Sequence, residues 1–117
     1  MIFWEWVGYL LAKICGLKRV IKSDGLNFLV VNRLIPSWAA AQTWGRNILI
    51  LEEYLDHDLL IEHEKVHVAQ WKQYGILFPI YYLSSSIKAW LRGEDPYKNN
   101  IYEEEAQLLS SYPSDKR

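Results

Sequence analysis

The segment His63-Glu64-Lys65-Val66-His67 sets two imidazoles four residues apart, with a carboxylate beside the first. On a helix four residues is just over one turn, so both rings project from one face, one above the other. Ring nitrogens so arranged reach a single Zn²⁺ at roughly 2.0–2.1 Å each. Glu64 flanks such a metal without needing to bind it. From there its carboxylate is placed to take a proton from a water whose pKa the zinc lowers to about 7. With three His and nine Glu in 117 residues, shuffled sequences contain H-E-x-x-H in roughly 0.6 % of cases, so chance is a poor explanation. The pattern can also lie on a surface helix and bind nothing. Here the neighbours Leu59, Leu60, Val66 and Trp71 describe a helix packed on several sides, where buried imidazoles and a carboxylate need something to satisfy them.

A catalytic zinc takes three protein ligands and leaves its fourth position to water. The remaining histidine, His57, lies six residues before His63, nearly on the opposite helical face, and reads as a cap-region or surface residue. Carboxylates are available in Tyr102-Glu103-Glu104-Glu105-Ala106. Three consecutive glutamates point in three directions, so at most one can face the metal. An acidic first turn that complements the helix dipole accounts for the others.

The elements that must position these residues follow from pattern and punctuation. Ile2 to Cys15 is apolar around most of its circumference and is ended as a helix by Gly16. A strand-like run from Leu26 to Ile35 is entered through Ser23-Asp24-Gly25 and stopped by Pro36. Ala39–Trp44 and Ile48–Leu51, separated by Gly45-Arg46-Asn47, read as a hairpin. From Asp56 or Asp58, either of which can cap a helix, the spacing turns helical through Tyr74, with Gly75 at the C′ position. Pro79 opens another helix, which runs to about Leu91 and is stopped by Gly93. A last helix begins near Ile101 and continues through Leu109 to Pro113. The expected layout is α+β: an N-terminal helix, a small three-stranded sheet, the H-E-x-x-H helix beneath it, and two further helices.

Composition narrows the function. One domain over residues 1–117 is all this length accommodates, and with half of it apolar a core can form. A net charge of −1 argues against a nucleic-acid partner. The densest basic group, Lys13, Lys18, Arg19 and Lys22, reads as a solvated helix end. Cys15, the single cysteine, reads as a buried small side chain, compatible with a reducing, cytoplasmic setting. Met1–Gly16 and Gly75–Trp90 are too short to span a bilayer, which takes about 20 apolar residues. Their Trp and Tyr content would suit peripheral membrane contact.

Three segments resemble the gluzincin branch of zincin metallopeptidases, and in particular small minigluzincin-like domains. They are Thr43–Ile50, Leu60–Gln70 and Arg92–Ala106. The resemblance implies a zincin-like fold, Zn²⁺ as cofactor, a peptide or protein substrate, and peptide-bond hydrolysis with Glu64 as general base and acid. It implies Glu103 as third ligand beside His63 and His67, with the small Ala106 letting the two helices approach. Ile101 stands where the family often has proline, and with a slipped register Glu104 or Glu105 takes the role. It also implies that the Trp44–Leu51 hairpin forms the upper rim of a cleft, whose edge strand adds an extended peptide. Tyr97, Tyr102, Arg46 and His57 are candidate oxyanion donors, and Gln70 a support for the site. The competing expectation is an autoinhibited or non-catalytic zinc-binding regulatory domain, membrane-peripheral or closed by a neighbouring subunit of a homo-oligomer.

Overall fold

Alternation along two short apolar strands decides how the layers stack. The computed structural model describes residues 2–110. Its elements are α1 (Ile2–Ile14), β1 (Leu17–Ser23), β2 (Leu26–Val31), β3 (Ala41–Trp44), β4 (Asn47–Leu51), α2 (Asp58–Tyr74), α3 (Phe78–Leu91) and α4 (Ile101–Ser110). The sheet order is β1-β2-β4-β3. β2 and β4 pair in parallel at its centre, while both outer pairs are antiparallel. Side chains alternate between faces with a period of two. Leu26, Phe28, Val30, Ile48 and Ile50 therefore share one face and pack on Leu60 and Val68 of α2. Leu29, Val31 and Leu49 share the other and pack on Ala12 and Cys15, within and just past α1. The sheet lies between α1 and α2.

The sheet has four strands, one more than the three expected from sequence. The additional strand, β1, is an edge with little burial, so its apolar residues show no clean alternation. Its turn did carry a signal: Asp24-Gly25 closes the β1–β2 hairpin with φ of 53° and 78°, the type I′ combination that Asp-Gly favours. Lys18, Arg19 and Lys22 consequently stand on β1 rather than on a helix end. There Lys18 and Arg19 pair with Glu52, whose carboxyl they hold below its ordinary pKa, the Arg19 hydrogen bond contributing most. Cations on an exposed edge also discourage pairing with another chain. β2 stops at Val31 rather than Ile35, because the Asn32 N–H turns back to the carbonyls of Cys15 and Gly16, at 3.1 and 3.0 Å. The chain is then free to cross over and lay β4 parallel to β2. Among the described residues no helix is long and apolar enough to cross a membrane.

α1 is held against the hairpin by aromatic packing. Trp4 lies 6.0 Å from Trp44 and 6.1 Å from Trp71 between ring centroids. Gly8 is what allows this approach, since a Cβ there would stand 2.5 Å from Trp44 Cβ. Two effects compete in Gly8→Ala. Helix propensity favours alanine by about 1 kcal/mol, whereas forcing a methyl into a filled site costs about 1–3 kcal/mol. The contact is close to the backbone of Trp44 and cannot swing away, so the clash wins. Gly8→Ala is expected to lower the urea midpoint, by up to about 2 kcal/mol in stability. A raised midpoint would mean that α1 does not rest on Trp44.

Candidate metal centre

The buried face of α2 is made by Leu60, His63, Glu64, His67, Val68, Gln70 and Trp71, spaced by three and four residues. His57, expected as a cap-region or surface residue, caps this helix, its ring accepting the Leu60 N–H at 3.3 Å in place of Asp56 or Asp58. The His63 and His67 rings stand 4.9 Å apart between centroids. α4 crosses this face, and Asn100 sets its register. The Asn100 carbonyl oxygen Oδ1 accepts the Tyr102 N–H, and its amide donates to the Tyr82 carbonyl and to Ser86 Oγ. The buried Asn100 thus pins the start of α4 to the middle of α3, and Ile101 begins the helix without a proline. From that start Glu103 and Ala106 point inward and are buried, whereas Glu104 and Glu105 are exposed.

One carboxylate oxygen meets both rings. Glu103 Oε1 lies 3.1 Å from His63 Nε2 and 3.0 Å from His67 Nε2. Its other oxygen, Oε2, accepts the Tyr82 hydroxyl at 2.5 Å. The buried group His63, His67 and Glu103 can hold a metal ion, with one ligand atom from each residue and all three within 4.8 Å of one another. Ligand atoms at about 2.0–2.2 Å from a tetrahedral zinc would stand roughly 3.3–3.5 Å apart. The two His–Glu separations fall a few tenths of an ångström inside that spacing.

Hydrogen-bond polarity tests the fit further. The Gln70 amide nitrogen donates to the Tyr102 carbonyl at 2.9 Å and to Glu105 Oε1 at 2.7 Å, which fixes the orientation of the amide. Gln70 Oε1, 2.8 Å from His67 Nδ1, must then accept a proton from that ring. A neutral His67 with its proton on Nδ1 has its lone pair on Nε2, where it faces a carboxylate oxygen. Two lone pairs at that distance repel unless a cation lies between them. A proton on His67 answers that contact, with neutral His63 donating its own Nε2 proton; a metal ion would instead bind both imidazoles and the carboxylate together. The donor set fits a divalent metal.

Beside these three side chains, the fully buried Glu64 accepts the Thr43 hydroxyl at Oε1, 3.0 Å away, and its Oε2 lies 4.0 Å from His63 Nε2. A cavity of about 900 Å³ reaches His67, Glu103 and Thr43, walled by aromatic rings among which are Trp38, Trp44, Trp71 and Tyr97. Tyr97 is held there by Asp95, whose carboxylate accepts the N–H groups of Lys98 and Tyr97 at 2.8 Å each. Those two bonds lower the Asp95 pKa, so their support of the loop is present above the ordinary aspartate range and is lost as pH falls through the lowered value.

The structure therefore brings together His63, Glu64, His67, Glu103 and Gln70. Of the four candidate oxyanion donors, only Tyr97 lines the cavity. Arg46 is bound to Glu5 in the β3–β4 turn, and His57 caps the far end of α2. Tyr102 packs in an aromatic cluster with Tyr74, Phe78 and Tyr82, where burial raises its pKa. Sequence reasoning missed Tyr82 and Thr43. Nothing in Tyr81-Tyr82 says which ring turns inward until Asn100 fixes α3 against α4. In comparisons with protein-family models, curated proteins and solved structures, this chain matches none.

Removing a partner that orients a metal ligand weakens metal binding by about 10- to 100-fold. Tyr82→Phe is expected to weaken zinc affinity by that factor, read by competition with a chromogenic chelator. Glu103→Ala should abolish stoichiometric binding, and Glu105→Ala should leave the stoichiometry intact. Full zinc occupancy in Glu103→Ala would remove Glu103 from the ligand set.

Proposed function

We propose that this protein is a zinc-dependent metallopeptidase of the gluzincin type, with His63, His67 and Glu103 as ligands and Glu64 as general base and acid. One observation carries the reading: two imidazole nitrogens from one helix and a carboxylate oxygen from a later helix converge where a metal ion can be held. Two imidazoles and a carboxylate suit zinc among the biological divalent ions. The zincin-like assignment draws support from H-E-x-x-H on a helix packed against the sheet, with its third donor on α4.

A zinc ion held by His63, His67 and Glu103 would supply a Lewis acid and would acidify water. The chain does the rest. Glu64 takes up the proton of the attacking water and returns it to the leaving amine. The Thr43 hydroxyl holds that carboxylate in place. Tyr82 and Gln70 orient Glu103 and His67. The cavity, mostly apolar in its lining, favours a peptide that carries a large apolar side chain beside the scissile bond. β3, at the edge of the sheet and next to Glu64, suits an extended substrate strand.

A non-catalytic or autoinhibited zinc-binding domain is the second reading, and two observations favour it. Glu64 is wholly buried, and the Trp71 indole N–H already bonds the Thr43 carbonyl on β3 at 3.2 Å, so an added peptide must compete with that contact. The two readings part on one variant. General-base catalysis is worth about 10²–10⁴-fold, so Glu64→Gln should lower kcat by at least ~100-fold on a quenched-fluorescent peptide library while zinc stays bound. Equal turnover by wild type and Glu64→Gln at full zinc occupancy would refute the peptidase reading.

A further inference from the structure

Two helices turn apolar stripes away from the core. On α1 the stripe is Ile2, Trp6, Leu10 and Ile14, at intervals of four. On α3 it is Ile80, Leu83, Ile87 and Trp90, at intervals of three and four. Such spacing gathers each set on one helical face. An amphipathic helix normally turns this face inward, yet Trp6 is 62 % exposed and Trp90 66 %. Scattered surface hydrophobics are ordinary, but two continuous runs mark an interaction surface. The Trp4 indole N–H donates to the Ile76 carbonyl at 2.8 Å, just ahead of α3, and ties the two helices at their N-terminal ends.

Charge selects the occupant. Within α1 and α3 the charged side chains are Glu5, Lys13 and Lys88. Glu5 is turned inward and binds both the backbone N–H and the guanidinium of Arg46. The charges these helices offer to water are therefore cationic. Exposed acids lie outside these two helices: at Asp24 in the β1–β2 turn, at Glu52, Glu53, Asp56, Asp58 and Glu62 around the start of α2, at Glu94 and Asp95 past the end of α3, where Arg92 is also exposed, and at Glu104 and Glu105 on α4. Apolar faces bearing Trp and edged by lysine match a bilayer surface with anionic headgroups. Helices of 13 and 14 residues reach only about 20 Å, short of a hydrocarbon core of roughly 30 Å. They can lie in the interface but cannot cross it. We propose that α1 and α3 dock this protein on an anionic phospholipid surface, with Trp6 and Trp90 at headgroup depth and Lys13 and Lys88 against the phosphates.

The test is co-sedimentation of the full chain with phosphatidylcholine vesicles and with vesicles that also contain phosphatidylglycerol. Near a membrane each cation contributes about 1 kcal/mol, so partitioning onto the anionic vesicles should be about tenfold stronger or more. Lys13→Glu/Lys88→Glu should erase that preference. Trp6→Glu/Trp90→Glu should abolish sedimentation with either vesicle while circular dichroism and zinc content stay unchanged. Leu83→Ser/Ile87→Ser provides a second apolar variant, expected to weaken binding in the same direction. The proposal falls if the wild type stays in the supernatant with both vesicles, or if the Trp variant sediments as the wild type does. It falls equally if sedimentation equilibrium shows a stable dimer that Trp6→Glu/Trp90→Glu dissociates and vesicles are not bound, which would assign the face to a second copy.

Discussion

The meeting of two imidazoles and a carboxylate at a single buried point organises this molecule. A neutral His67, with its Nδ1 proton given to Gln70, turns a lone pair toward Glu103 Oε1, and His63 converges on the same oxygen. In a buried setting that arrangement is costly unless positive charge lies among the three atoms. The surrounding polar contacts keep the three donors from moving apart. Tyr82 restrains the second oxygen of Glu103, Gln70 links His67 to the backbone of α4, and Asn100 fastens the start of α4 to α3. Each of these groups spends its hydrogen bonds on orienting a donor.

The sheet supplies the rigidity this requires. Its central strands bury both faces, one against α1 and the other against α2, so α2 cannot shift without opening the core. Thr43, on the edge strand, then meets Glu64 at a fixed distance. The Trp4–Trp44–Trp71 group joins α1, the β3–β4 hairpin and α2. Trp44 and Trp71 of that group line one cavity with Glu103 of α4.

Much of this was legible without coordinates, and the reasons are local. His63 and His67 share a helical face by arithmetic alone, and Gly75, at φ 67°, ends α2 where a C′ glycine is expected. Cys15 is buried and free, as its apolar setting implied. The inward glutamate was named through resemblance. Geometry selects the same residue for a reason no pattern contains: Asn100, bonded to α3, decides which of three consecutive acids turns inward. β1 escaped notice because an edge strand wet on both faces carries no alternation, and β2 was drawn too long because its end depends on Cys15 and Gly16 across the fold. Tyr82 and Thr43 belong with these. Their roles come from packing between distant elements, which spacing along the chain does not encode.

The parallel seam between β2 and β4 bears on how the chain assembles. Each hairpin, β1–β2 and β3–β4, is closed by a two-residue turn and needs only neighbouring residues to form. Joining them matches Phe28 with Ile48 and Val30 with Ile50, so a long excursion of chain must first be drawn in, at an entropic cost no local contact offsets. Two hairpins that ripen early and a seam that closes late would leave the apolar flanks of both central strands uncovered in between. In such an interval the lysines and arginine of β1 would disfavour pairing of that edge with a second chain.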